Sequence, residues 1–491
     1  MSMLSILAAI TVFAQHPCQP CHAEIVSSYA KTAMARTSGR VKPGDHAPAG
    51  SFTDPVTQTS FSLTPALLLQ FSKGSDVVGS RQLDYFLGSG RVGFSYLFQS
   101  ENRLFQAPVS FYSATRQWQL SPGFDRRSSL DLTRVVEPSC LNCHTSNFDA
   151  AKLSFDNGIT CERCHGEARQ HMATFGKAAI VNPKKLPAME RESICAQCHL
   201  TGQARVAKFR SDKAAYTPGK KLSDYSAVFT GTASQTGAIG VTSHFEKLAL
   251  SQCKLPTGEA LSCTTCHNPH AEPANSSAFF NPKCQACHIQ KPCKQSVQTD
   301  CIQCHMPKAS GRGVDHSSYT DHSIPRARGQ IKTVEFASFW PNQSSSRDLA
   351  LAYSILGEFD KSQALLEAAA KANPADIAVL SQLAQIYDRQ GKEEPARSLY
   401  ESILKLEPKH PTAAANLAVI RIKAGRSGEA ISLWQISLHT NPAQTGIRMN
   451  LAQALLRQGN REAAIVQVEK ALFYDPDQPA ARRLLSQLRQ Q

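Results

Sequence analysis

Tryptophan occurs three times and methionine seven times in 491 residues, and the 39 acidic residues fall well short of the 53 lysines and arginines. No stretch approaches the ~18 uninterrupted apolar residues that mark a membrane-spanning helix, so no membrane span is expected. Glycine and proline, at 27 each, are too few for a collagen-like or low-complexity chain, and 42% hydrophobic residues are too many for a disordered one. The length accommodates two or three domains. A net charge of +14 would ordinarily raise nucleic acid as a partner. Cysteine is absent after Cys304, yet 16 cysteines occur up to and including that residue, and their arrangement bears on the charge as well.

Fourteen of the 16 form seven copies of Cys-x-x-Cys-His: Cys18, Cys21 and His22; Cys140, Cys143 and His144; Cys161, Cys164 and His165; Cys195, Cys198 and His199; Cys263, Cys266 and His267; Cys284, Cys287 and His288; Cys301, Cys304 and His305. At this chain's own frequencies roughly 0.02 such matches arise by chance. Two thiols at this spacing can form thioethers to the two vinyl groups of one haem while the next residue's imidazole reaches the iron. Zinc ribbons, disulfides and thioredoxin-like pairs need neither the adjacent histidine nor seven repeats. Seven haems c are therefore expected.

Covalent haem implies export. The ten-residue run Leu4–Phe13, followed by Ala14, suits a signal peptide over 1–14 and a periplasmic or extracellular protein, although Met1-Ser2-Met3 carries no lysine or arginine. A cytochrome domain is expected over 15–340. From 343 to 491 the composition changes and a 34-residue period sets in. Leu349, Leu383, Leu417 and Leu451 share one register, Gly357, Gly391, Gly425 and Gly459 a second, and Pro374, Pro408, Pro442 and Pro476 a third. Each unit reads as helix, glycine turn, helix and proline stop. The pattern resembles the tetratricopeptide repeat, with Ala396, Ala430 and Ala464 opening second helices. Ser362, Arg421 and Leu455 depart from it. Ala480 to Leu488 reads as a capping helix after four repeats.

Between the first two motifs, Phe94–Phe98 and Phe105–Tyr112 are β-rich and Glu101-Asn102 could turn a hairpin, so a small β insertion is expected on the haem core. Elsewhere the motif regions read as loops with short helices. The expected fold is mainly α: a loop-rich multihaem domain with that insertion, then a repeat solenoid.

Each iron keeps a second axial face. Apart from the motif histidines and the two in the repeats, His410 and His439, seven remain: His16, His46, His171, His244, His270, His316 and His322. The count equals the number of haems. His16 abuts the expected cleavage site, and the Met34 thioether competes with it as a ligand. Cys253 and Cys293 are left over and would pair in an oxidising compartment.

The segments CERCHGEARQH, SHFEKLALSQC, LSCTTCHNPH, CIQCHMPK with DHSSYTDHSI, and DYFLGSGRVGFSYLFQ resemble multihaem cytochromes c of the nitrite reductase and hydroxylamine oxidoreductase superfamily. The resemblance runs through nearly the whole chain, the repeats included. It implies stacked haems with His46, His171, His244, His270, His316 and His322 as distal ligands. If every iron is sealed by two axial ligands, the chain carries electrons and catalyses nothing. The alternative is a reductase or oxidase of a small nitrogen or sulfur oxyanion, which needs one open iron. No motif carries the lysine that marks the catalytic haem of ammonia-forming nitrite reductases. The repeats would dock a redox partner protein. Basic residues outnumber acidic ones by 35 to 24 before position 341 and by 18 to 15 after it. Fourteen haem propionates would balance the +14, which removes the argument for nucleic acid.

Overall fold

The computed structural model describes residues 16–42, 44, 48–124, 129–209, 215–231, 239–240, 244–288, 300–312, 318–325 and 335–490. The expected signal peptide, His46, His316 and Cys293 lie outside the described residues.

The insertion between the first two motifs is larger than its two hairpin strands suggest, and the chain is correspondingly less α-helical than expected. Nine strands, β1 Ser38–Arg40, β2 Gly50–Thr53, β3 Thr59–Leu63, β4 Leu68–Lys73, β5 Asp76–Gln82, β6 Tyr85–Leu87, β7 Gly93–Ser100, β8 Arg103–Tyr112 and β9 Gln117–Leu120, form two antiparallel sheets. Their orders are β1-β6-β7-β8-β9 and β2-β3-β4-β5. The β7–β8 hairpin turns at Glu101-Asn102, as read, with Glu101 at φ +50°. Phe61, Leu69, Phe71, Tyr96, Phe98, Phe105, Val109 and Trp118 fill one core. Along β3 and β4 the buried Phe61, Leu63, Leu69 and Phe71 alternate with more exposed polar residues such as Ser62 and Gln70, the period-2 pattern of a half-buried sheet. In the sequence of β2 to β5, serines, threonines and glutamines dilute that signal.

The haem-motif regions have little such core: Leu141 of the second motif and Ala196 of the fourth enter small apolar clusters, but most of the motif helices do not. Helices Gln19–Tyr29, Glu162–His165, Arg169–Ala173, Ser276–Gln285 and Cys301–His305 bury no residue. Side chains that would be expelled from water in an ordinary domain here flank space that a macrocycle can fill.

The repeats form helix pairs Ser346–Leu356 with Phe359–Ala372, Ile377–Arg389 with Glu393–Leu406, Pro411–Lys423 with Ser427–Thr440, and Thr445–Arg457 with Arg461–Tyr474. Pro479–Gln490 caps them. The four periodic glycines sit at φ between 71° and 78°, a left-handed cap that only glycine adopts without cost. Departures from the repeat pattern are locally compensated. Buried Ser362 bonds Ser354 Oγ at 2.6 Å and the Ala350 carbonyl at 2.8 Å, and Arg421 pairs with Glu401 at 2.7 Å.

Both ends of the solenoid join the first half. Ala350 and Leu351 pack with Ala204, Val206, Ala227 and Phe229, from a sheet of Ala204–Ala207, Ser226–Thr230 and Ala337–Ser338. Tyr474 and Ala443 enter the β-unit core, where Tyr474 tilts against Phe105 with ring centres 5.3 Å apart.

Candidate metal centre

All seven motifs lie on or at the end of a short helix, where residues i, i+3 and i+4 share one face. Two thiols and an imidazole are thereby aimed at one volume without further constraint. A capping box of Ser262 and Thr265 starts the turn of the fifth motif, and the Asp300 carboxylate caps that of the seventh.

An iron holding one nitrogen at about 2 Å on each face would keep two imidazole centres roughly 6 Å apart, too far for direct ring contact. Four such pairs are present. His22 and His171 stand 6.5 Å apart with planes 10° off parallel, His165 and His270 5.9 Å at 15°, and His267 and His322 6.1 Å at 24°. His199 and His244 stand 5.7 Å apart at 69°. His171 follows the third motif in sequence but faces the histidine of the first; His270 follows the fifth and faces that of the third. No described imidazole stands opposite His144, His288 or His305 at such a distance.

Hydrogen bonds behind the rings suit ligation. Nδ1 of His165, His171, His305 and His322 donates to the carbonyls of Val181, Ala178, Pro325 and Thr320 at 2.8–3.0 Å, leaving each Nε2 as the free lone pair. Burial lowers the pKa of His144, His199, His267, His270 and His322, and the neutral ring is the ligating form. For His244, burial and the nearby His322, His199 and His267 push it down to about 3. Its Nδ1 is buried with no hydrogen-bond partner among the described residues. A mostly apolar cavity of about 210 Å³ at the helix that begins with His244 is lined by Met189, Phe245, Leu248, Phe339 and Trp340, with Glu192 and Lys254 also in its wall. The donor set, the paired rings and this apolar space fit haem.

The family described as "Cytochrome c554 and c-prime" matches residues 111–166, and the tetratricopeptide repeat family matches 355–420 and 421–488. The chain is a multihaem c-type cytochrome with C-terminal tetratricopeptide repeats. Multiheme cytochrome MtrA of Shewanella baltica (strain OS185) is similar to it, 24% identical over 186 residues that cover 31% of this chain and 53% of MtrA. This cytochrome thus spans about half the length of the curated relative it matches. Among solved structures, a MamA protein matches at 19% identity, over 30% of this chain and 79% of MamA, with a TM-score of 0.27. A MamA MSR-1 chain matches at 21%, over 30% and 83%, also at 0.27.

The cytochrome's motifs are stitched together by their variable residues, which no spacing argument singles out. Arg163, inside the third motif, donates to the Asn142 carbonyl of the second at 2.8 Å; Gln197, inside the fourth, donates to the Arg163 carbonyl at 3.0 Å. Cys198 Sγ lies 3.9 Å from that same Asn142 carbonyl. Thr37 Oγ1, another residue the sequence did not mark, holds His144 Nδ1 at 2.9 Å. His16 is differently placed. Its Nδ1 accepts from Cys18 N at 3.3 Å and its Nε2 lies 3.7 Å from Cys161 Sγ, so both nitrogens face attachment cysteines. The Met34 carbonyl accepts from Ile159 N at 3.0 Å, which pins its loop to the peptide leading into the third motif. Cys253 forms no disulfide among the described residues, and burial and the nearby Cys287 raise its thiol pKa. Among the described residues no helix is long and apolar enough to cross a membrane.

Proposed function

We propose that this cytochrome acts outside the cytoplasm and carries electrons through seven covalently attached haems, each iron sealed by two axial ligands. The four imidazole pairs spaced for an intervening iron carry this reading. His46 and His316 complete two further pairs, and the repeats over 343–491 give a redox partner protein a place to dock. A six-coordinate iron changes charge with little rearrangement and offers no face to a substrate. Several motif regions also adjoin one another. The Cys18 and Cys161 sulfurs lie within 4.8 Å of each other, His165 faces His270, three residues beyond the fifth motif, and the rings of His244 and His322 are 4.6 Å apart.

The exported holoprotein should contain seven haems per chain, be entirely low-spin when oxidised, and bind CO slowly when reduced. A stoichiometric high-spin signal with fast CO binding would instead support a reductase or oxidase with one open iron.

A further inference from the structure

Among the described residues, the hydrogen bonds and ion pairs between the solenoid and the haem half lie at the solenoid's two ends. At the first, Lys208 Nζ meets Asp348 at 2.8 Å and Arg347 Nη1 donates to the Ala207 carbonyl at 2.7 Å. Ala207 closes the strand whose Arg205 donates to the Gln197 carbonyl at 3.0 Å, inside the fourth motif. At the far end, Asp477 takes both Lys73 Nζ at 2.6 Å and Leu130 N at 2.8 Å, Leu132 N donates to the Tyr474 carbonyl at 2.8 Å, and Arg448 meets Glu101 at 3.2 Å. From Leu132 the chain runs beside β8, with Val136 N bonded to the Leu104 carbonyl at 2.8 Å, directly into the second motif at Cys140. Among the described residues, none from 377 to 438 hydrogen-bonds or ion-pairs with the first 340.

These contacts close a mechanical loop: solenoid, Ala204–Ala207 strand, fourth motif, second motif, Leu130–Val136 segment, solenoid. Motifs two and four meet within it, at Cys198 and Asn142. Each repeat touches only its neighbours, so a repeat array behaves as a spring whose length follows the curvature of its middle units. We propose that the repeat domain is an internal tie between the peptides of the second and fourth motifs, and that it sets the spacing of the two haems those peptides carry. The proposal rests on haem attachment at both motifs. It gives the solenoid a task that does not require a bound partner.

The test uses the full-length exported holoprotein. Lys73→Gln loosens the far end and Asp348→Asn the near end, while Arg397→Gln, whose ion pairs among the described residues are with Glu394 and Glu401 in the middle of the arc, is the control. Each variant is titrated spectroscopically against potential, and the oxidised haem signals are compared by electron paramagnetic resonance. Both end variants should move the same two haems and leave five unchanged, and the control should move none. A merely structural role would lower thermal stability without selecting two haems. Unchanged potentials in the folded end variants, or a shift spread over all seven haems, overturns the tie. Should Asp348→Asn fail to accumulate, Lys73→Gln decides alone, since the Lys73 side chain is one-third exposed. In the wild-type monomer, zero-length carbodiimide coupling should join Lys470 to Glu101, 3.2 Å apart and both accessible; absence of that link also overturns the proposal. A haem count below seven in the wild type would count against the electron-carrier reading instead.

Discussion

His171 donates its Nδ1–H to the Ala178 carbonyl, which leaves the Nε2 lone pair free, and although it follows the third motif in sequence it faces His22 of the first. Replacing it by alanine should convert one ferric haem from low to high spin and create one fast CO site, leaving attachment at Cys18 and Cys21 intact. Seven low-spin haems in that variant would remove His171 from the ligand set. Gly158 marks another constraint on the same region. At φ +63°, its missing Cβ would lie 2.0 Å from the Ala35 carbonyl oxygen, so the loop behind the first haem site can close only over glycine. Gly158→Ala should cost about 2–4 kcal/mol, combining overpacking with a left-handed backbone, and lower the thermal midpoint accordingly.

Among the elements, the first repeat helix is held by a buried ion network. Asp348 receives Lys208, Arg347 and the Ser345 amide, and Arg347 reaches on to Asp376 at 2.7 Å. Burial pushes the Asp348 carboxyl up, but the hydrogen bonds from Lys208, Ser345 and Arg347 outweigh it and hold the pKa below the usual carboxylate value. A depressed folded pKa stabilises the fold above the unfolded value of about 4 and ceases to do so as pH falls through the folded one. Asp348→Asn should therefore lose roughly 2–4 kcal/mol at pH 7, and the gap to wild type should narrow as pH falls below about 4. Urea unfolding at several pH values measures both, and a gap independent of pH would rule out the ion network as its source. At the opposite end, the core places Tyr474 and Ala443 among the strands. A chain stopped at residue 444 should expose Phe105 and Leu132 and lose β-unit stability together with the last repeat.

In the molecule as a whole, two kinds of interior coexist. The β unit and the solenoid pack side chain on side chain, whereas the helices of the first, third, sixth and seventh motifs bury no residue. Chain retained in a compartment without haem attachment should be cut by protease across 16–37 and 244–325, while 346–490 stays protected; equal protection throughout would contradict a haem-built interior. The repeats were legible because a strict period of 34 reports packing between neighbours in sequence. The β unit was legible only at its β7–β8 hairpin, where aromatic and β-branched residues cluster, and not at β2 to β5, whose polar residues mask the alternation.

The sequence alone determined the chemistry of attachment and the repeat architecture, since both rest on residues within a few positions of each other or on a fixed period. It also named the histidines available to the second iron faces. Which of them meets which motif, that Arg163 and Gln197 stitch three motifs together, and that the solenoid closes onto the haem half at both ends were decided by tertiary structure alone. These contacts join residues more than a hundred positions apart in most cases, and no local spacing encodes them. They depend on how two sheets, a repeat array and the space between the motif helices fill one another's volume.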